Sequence, residues 1–299
     1  LHGKLIAHKR GCYLRACCNC GLIFVWPQPA PEALAALYQK AAGYFAATCT
    51  ELSKTSPRPA TKLHRTLRAH GISGGRLLDV GCGNGSLIYH MRRLGWKVAG
   101  VEINPDTVAI ARKNGLNVKL AQLHQRPFPD GFFDVVYMGD VIEHLTQPRQ
   151  ALSTSRRVLR PGGLIVIKTP NARCGFARYS LLFAQLTRLA WPFSEAPYHL
   201  FDFSPATLTR MVTNTGFRPL RVCCSGRMPF FYTVGASGFF DELKLRMKTK
   251  GRYRLHLLLA NIPKLTAVAG MLFAFHILGI ASDVVCRTGP RMTLIARRT

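Results

Sequence analysis

The run Leu77-Leu78-Asp79-Val80-Gly81-Cys82-Gly83-Asn84-Gly85-Ser86-Leu87 constrains this chain more than any other stretch. An apolar segment breaks into three glycines at alternate positions, and a helix-like pattern follows. Such a pattern is a strand, a tight turn and a helix start. Glycine lets a backbone turn sharply and approach a ligand closely, and a helix N-terminus offers unbonded N–H groups to that ligand. Apolar runs and helical patterns alternate around the loop. Strands are expected at 76–80, 97–102, 117–120, 133–138 and 164–168, and helices at 85–94, 106–113 and 148–159, the last closed by Pro161-Gly162-Gly163. A further helix is expected at 204–215, with strands at 217–222 and 291–297. Alternation of this kind implies an α/β fold, a doubly wound parallel sheet with right-handed crossovers.

Gly81, Gly83 and Gly85 suit an adenosine cofactor, and Glu102 ends the next strand at the separation expected of a carboxylate that grips a ribose diol. A dinucleotide site needs a third glycine in Gly-x-Gly-x-x-Gly, and here that position is Ser86. Asp79 before the turn would also repel a pyrophosphate. A carboxylate suits a ligand with an ammonium or other positive charge, and S-adenosylmethionine carries both an ammonium and a sulfonium.

Four segments then carry a resemblance: Leu78-Asp79-Val80-Gly81-Cys82-Gly83-Asn84-Gly85, Val98-Ala99-Gly100-Val101-Glu102, Phe133-Asp134-Val135-Val136-Tyr137 and Leu159-Arg160-Pro161-Gly162-Gly163. In their order and spacing, residues 76–171 resemble the class I S-adenosylmethionine-dependent methyltransferases. The stretch from Phe201-Asp202-Phe203-Ser204-Pro205 to Gly216-Phe217 resembles that family's late helix and strand. The resemblance implies a Rossmann-like sheet, mostly parallel with an antiparallel terminal strand. It implies that Gly81, Gly83 and Gly85 shape the cofactor loop, Asp79 holds the methionine end, Glu102 binds the ribose and Ile103 lies against the adenine. Met138 would line the methyl-transfer site. Gln122 stands where many relatives place an Asp on the adenine amino group, and its amide oxygen can accept the same bond.

Met138-Gly139-Asp140-Val141-Ile142-Glu143-His144-Leu145 resembles the ubiquinone-pathway O-methyltransferase subgroup, in which such residues bind a divalent metal or activate a hydroxyl. His144 is the candidate general base, since its ordinary pKa near neutrality suits proton removal from a hydroxyl. Asp140, Glu143 and His144 are candidate catalytic or divalent-metal residues, set against a structural role in orienting the loop. His199 stands where relatives carry a substrate-side His. An Asn/Asp-Pro-Pro-aromatic motif and a Pro-Cys pair are absent after the fourth strand. That disfavours base-amino and pyrimidine-carbon acceptors and leaves oxygen as the best expectation.

The charge is lopsided, 41 Lys+Arg against 14 Asp+Glu for a net +27, which favours anionic partners. The ten cysteines show no disulfide framework, so a reducing, cytoplasmic compartment is expected. Residues 1–31 form a basic lead. Its Cys17-x-x-Cys20-Gly21 resembles half of a zinc ribbon, with Cys12 or His8 as further candidate ligands. Residues 32–225 read as the methyltransferase core, mostly helical at 32–67 and with a substrate-side insertion at 172–200. Residues 226–289 read as a basic and apolar helical insertion, and 290–299 as the final core strand. Lys244, Arg246, Lys248, Lys250, Arg252 and Arg254 alternate ahead of the apolar stretch 255–281. That stretch is expected to lie at an anionic membrane surface, with a soluble lid or dimer surface, or a membrane-spanning helix, as the alternatives.

The leading expectation is thus O-methylation of a small-molecule, lipid-linked or glycan acceptor near a membrane. RNA or protein methylation, a Rossmann-type NAD(P)-dependent oxidoreductase and a non-catalytic membrane-bound scaffold are the alternatives.

Overall fold

The computed structural model describes residues 2–30, 32–34, 36, 51–125, 127–188, 190–226, 270, 273–274, 276–286 and 288–299. Strands β1 (Gly3–Lys9), β2 (Cys12–Cys17) and β3 (Ile23–Trp26) come first, then helix α1 (Arg58–Arg68). An alternating series follows: β4 (Arg76–Val80), α2 (Ser86–Arg93), β5 (Lys97–Glu102), α3 (Pro105–Lys113), β6 (Val118–Leu120), β7 (Phe133–Gly139), α4 (Pro148–Val158) and β8 (Leu159–Pro170). Helix α5 (Gly175–Thr187), β9 (Phe201–Asp202), α6 (Pro205–Thr213), β10 (Phe217–Ser225) and β11 (Arg291–Arg298) complete the order. The chain divides into two compact units, one of residues 1–30, 170–207 and 223–292, the other of 31–169, 208–222 and 293–299.

The second unit carries the α/β core. Its seven-stranded sheet runs β10-β11-β8-β7-β4-β5-β6, and the pairs β4–β5, β4–β7, β5–β6 and β7–β8 are parallel. This is the mostly parallel α/β sheet that the alternation implied. Strands covered on both faces read as near-continuous apolar runs: Leu77, Leu78 and Val80 of β4 and Val135, Val136 and Met138 of β7 are all buried. Helix α1 turns Ala60, Leu63 and Leu67 onto the core, at the spacing of one helical face. Asn104 accepts from the Asp106 and Thr107 amides and Pro105 follows it, so α3 starts there.

From β4 the chain winds out through β5 to β6, then returns to β7 on the other flank of β4. The carboxyl end of β4 is therefore the switch point where open α/β sheets take their ligands. One boundary differs from expectation. Pro161-Gly162-Gly163 does not separate helix from strand, because β8 already begins at Leu159. The register slips from Phe133↔Leu159 to Val135↔Leu164, and a bulge with Gly162 at φ +74° absorbs the extra residues.

The first unit holds an antiparallel sheet in the order β1-β2-β3-β9. Arg10 and Gly11 both take positive φ, 47° and 77°, the two-residue turn that matches strand twist. Behind the sheet Leu14, Val25, Cys174, Phe176, Trp191 and Phe193 form one buried cluster. Lys9 is fully buried there, its Nζ donating to the carbonyls of Trp191 at 3.3 Å and Pro192 at 3.2 Å. Asp202 is buried too, with Ser194 donating to its Oδ2 at 3.0 Å.

Helical residues 276–285 cross α5 with their backbones nearly touching: a Cβ on Gly279 would lie 2.7 Å from the Phe176 nitrogen, and one on Gly175 2.1 Å from the Gly279 carbonyl oxygen. Asp283 caps α5 by accepting the Gly175 amide at 2.7 Å. The basic run 244–254 and most of the apolar stretch 255–281 lie outside the described residues, as do 37–50 of the expected helical lead. Among the described residues no helix is long and apolar enough to cross a membrane.

Candidate active site

The glycine turn leaves β4 and delivers the chain into α2. Gly81 and Cys82 both donate to the Val101 carbonyl, at 2.8 and 3.2 Å, which ties the turn to β5. Gly81 (φ +67°), Gly83 (φ +53°) and Gly85 (φ +83°) all lie in the left-handed region. The three differ in their surroundings. A Cβ on Gly81 would meet Val141 at 2.6 Å, and one on Gly85 would meet Leu116 at 2.5 Å, whereas one on Gly83 would meet nothing within 4 Å. Gly83 therefore stands open at the centre of the turn.

Glu102 does more than end β5. Its Oε2 accepts the Gly83 amide at 2.9 Å, while Oε1 accepts the amides of Ile103 at 2.7 Å and Asn104 at 2.9 Å. The carboxylate expected to bind a ribose thus also braces the loop, and with three of its about four acceptor positions taken, one on Oε2 stays available to a ribose hydroxyl. Ile103 follows with 54% of its surface exposed, and Leu120, paired across to Glu102, is exposed as well. Two apolar side chains at adjacent strand ends form a surface that a flat heterocycle could cover. Gln122 is exposed, and its amide donates to the Gln125 side chain at 2.8 Å.

Asp79 is buried beneath the turn. Burial, and next the negative charge of Glu102, push its carboxyl well above the usual carboxylate range. An acidic pair at the turn is a poor seat for a pyrophosphate and suits a ligand that carries positive charge. The open cradle at Gly83, the paired acids and the exposed apolar strand ends together fit S-adenosylmethionine. Cys82 packs its sulfur where a Cβ on Gly100 would come within 2.5 Å, and burial drives its thiol pKa upward.

Met138 is fully buried at the end of β7. Asp140, two residues on, holds φ +56°, uncommon for a residue with a side chain, and its amide donates to the Lys168 carbonyl at 2.9 Å. Backbone strain of this kind concentrates at functional sites. Val141 is the residue in contact with Gly81, so this loop bears directly on the cofactor turn. Glu143 is buried and its Oε2 accepts from the Thr169 hydroxyl at 2.9 Å. His144 is half-buried at the end of a short 3₁₀ turn, its amide donating to the Val141 carbonyl. Glu143 and His144 bring ligand atoms within 4.8 Å of each other, close enough to share a metal ion, while Asp140 does not join them among the described residues. His199 belongs to the first unit, where its amide donates to the Glu195 carbonyl at 3.3 Å.

The expected zinc lead is an antiparallel hairpin. Cys12, Cys17 and Cys20 are half-buried and Cys18 is exposed, all as free thiols. Amide donors at Cys20 and then Asn19 lower the Cys17 thiol pKa, but Cys12, Cys17, Cys20 and His8 do not gather three ligand atoms into one set.

Sequence reasoning missed the brace made by Glu102, the contact of Val141 on Gly81 and the role of Leu120. Only the exposed apolar pattern after β5 hinted at the last.

Comparison with known proteins agrees with this geometry. A family model described as a methyltransferase domain matches residues 52–222. The ubiquinone biosynthesis O-methyltransferase of Nitrosococcus oceani is 29% identical over 150 residues, 48% of this chain and 63% of the relative. Its counterpart in Xanthomonas oryzae pv. oryzae is 30% identical over 151 residues, 48% of this chain and 62% of the relative. The chain therefore spans less than two thirds of the length of these curated relatives. Among solved structures, a SAM-dependent methyltransferase from Archaeoglobus fulgidus superposes with TM-score 0.50 at 17% identity, covering 88% of this chain and 99% of the other. The [4+2]-cyclase SpnF superposes with TM-score 0.54 at 18% identity, covering 91% and 98%. Fold likeness at this level fixes architecture and leaves the reaction to the site. With the family match spanning more than half the chain and the glycine turn, the acid pair and the strand order all in agreement, the chain belongs to the methyltransferase-domain family, of the class I, S-adenosylmethionine-dependent architecture.

Proposed function

We propose that the protein is an S-adenosylmethionine-dependent methyltransferase acting on oxygen of a small-molecule, lipid-linked or glycan acceptor at the cytoplasmic face of a membrane. The observation that carries the donor assignment is the cradle at Gly83, open where a side chain would be and flanked by Asp79 and Glu102. The bound donor supplies an electrophilic methyl group. Asp79 and Glu102 hold its charged and ribose ends, Ile103 and Gln122 contact its base, and the turn at Gly81, Gly83 and Gly85 fixes its position. In-line transfer then needs little beyond alignment of the two reactants.

Oxygen is favoured as acceptor by the relatives named ubiquinone biosynthesis O-methyltransferases. His144 removes the hydroxyl proton, with Asp140 and Glu143 ordering the loop that carries it and His199 on the acceptor side. A divalent ion held in part by these residues would serve the same deprotonation. The membrane reading rests on the +27 charge, the alternating basic residues at 244–254 and the apolar stretch after them. Exposed Phe273, Ile277, Leu278, Val284 and Val285 add to it.

Incubation of the protein with methyl-labelled S-adenosylmethionine and fractionated extract tests the proposal. Label entering a base-stable ether in the lipid or small-molecule fraction is the expected result. Label in RNA or protein, or none leaving the donor, refutes it. Flotation with anionic vesicles tests the membrane component; protein that stays at the bottom of the gradient removes it.

A further inference from the structure

Ser86, the residue that breaks the dinucleotide pattern, opens α2, and its hydroxyl donates to Thr55 Oγ1 at 2.8 Å. Thr55 Oγ1 spends its own proton on the Leu52 carbonyl at 2.6 Å, so towards Ser86 it can only accept. His90, one turn further along α2 and buried, places Nε2 2.9 Å from Thr55 Oγ1 and 3.1 Å from the Thr55 carbonyl oxygen. Both of those positions accept, so His90 must carry its proton on Nε2. Leu52 is itself fully buried in the core. On the other side, the Ser86 amide donates to Asn84 Oδ1 at 3.1 Å, inside the glycine turn. A continuous path of hydrogen bonds thus runs from the core anchor at Leu52, through Thr55 and Ser86, to the middle of the cofactor loop.

We propose that Thr55 is a positioning residue that couples the segment entering the core to the S-adenosylmethionine loop through Ser86 and His90. The inference rests on the donor reading given above and deepens it. By reciprocity, whatever the bound donor gains from a loop held in place, it returns as order at residues 51–55.

The test is calorimetric titration of S-adenosylhomocysteine into wild type, Thr55→Val and Thr55→Ser, with hydrogen exchange measured on the wild type. Valine keeps the branched shape and removes the hydroxyl. It is expected to weaken binding about tenfold, the size of one or two lost neutral hydrogen bonds, and serine to restore it to within about twofold of wild type. In the wild type, S-adenosylhomocysteine should slow exchange at residues 52–56; in Thr55→Val that protection should vanish. Should Thr55→Val fail to fold, Ser86→Ala breaks the same path from the other end and is expected to show the same losses. Wild-type binding matched by Thr55→Val, equal losses in the valine and serine variants, or no ligand-dependent protection at 52–56 would overturn the coupling alone. A wild type that binds no S-adenosylhomocysteine overturns the donor reading and the coupling with it.

Discussion

Gly83 and Gly85 lie two residues apart in one turn, both with left-handed backbone, yet alanine should damage them in opposite ways. Each substitution carries a left-handed penalty of about 1–2 kcal/mol. At Gly83 that is the whole structural cost, since nothing lies within 4 Å of the new methyl. At Gly85 the methyl would also lie 2.5 Å from Leu116 Cδ1 and 3.3 Å from Ala111 Cβ, both in the buried core. Overpacking of this kind adds about 2 kcal/mol. The shared backbone penalty cancels between the variants, so Gly85→Ala should melt about 4–8 °C below Gly83→Ala. Affinity should rank the other way. The Gly83 methyl enters the space that the cradle keeps for its ligand and should weaken S-adenosylhomocysteine by at least about tenfold, while the Gly85 methyl points into the core. Thermal melts followed by circular dichroism and titration calorimetry at a temperature where both variants are folded measure the two effects. If Gly83→Ala proves the less stable protein, or binds as tightly as wild type, the division between an open and a packed glycine is wrong.

Two further outcomes follow from the first unit. Asp202 is pushed up to about 7 from 3.8, chiefly by burial. Its folded pKa is raised, so its contribution to stability is complete below about pH 4 and is lost as pH rises through 7. That amounts to about 4 kcal/mol. Denaturant titrations at pH 5 and pH 8 should show wild type losing stability relative to Asp202→Asn as pH rises, and parallel curves for the two would refute the assignment. Gly279→Ala drives a methyl against the backbone of α5 and should lower the melting temperature through a cost of about 1–3 kcal/mol. Gly270→Ala, with nothing among the described residues within 4 Å of the new methyl, should leave it nearly unchanged; equal melts would deny the close crossing.

The core was legible because its chemistry is local. Strands such as β4 and β7 are covered on both faces, so their burial appears directly as apolar runs, and three glycines at alternate positions suit few structures other than a ligand-binding turn. The first unit offered no such signal. Its hairpin turns on Arg10-Gly11 in place of an Asn or Asp before the glycine, its strands mix exposed with buried positions, and β9 has only two residues. Helix α5 begins at Cys174, whose sulfur accepts the Ala177 amide at 3.3 Å, a weak cap that composition does not reveal. Gly279 reads as a helix breaker in sequence and becomes a crossing point only when Gly175 is beside it. In the site, residue types were readable while pair geometry was not: Glu102 could be placed at a strand end, but not its grip on Gly83, and Thr55 lies far from Ser86 along the chain.

The place of β11 has a consequence for how this protein is made. It enters the sheet between β8 and β10, not at an edge, yet it leaves the ribosome after every other strand of that sheet. Until residues 291–298 emerge, β8 and β10 have no strand between them, and each presents an unpaired edge of the kind that recruits other chains. Everything from 226 to 290 must be synthesised during that interval, so the nascent protein depends on rapid late closure or on a chaperone that shields those edges. A chain lacking residues 291–298 would lose an interior strand and, with it, the continuity of the sheet that supports the cofactor turn.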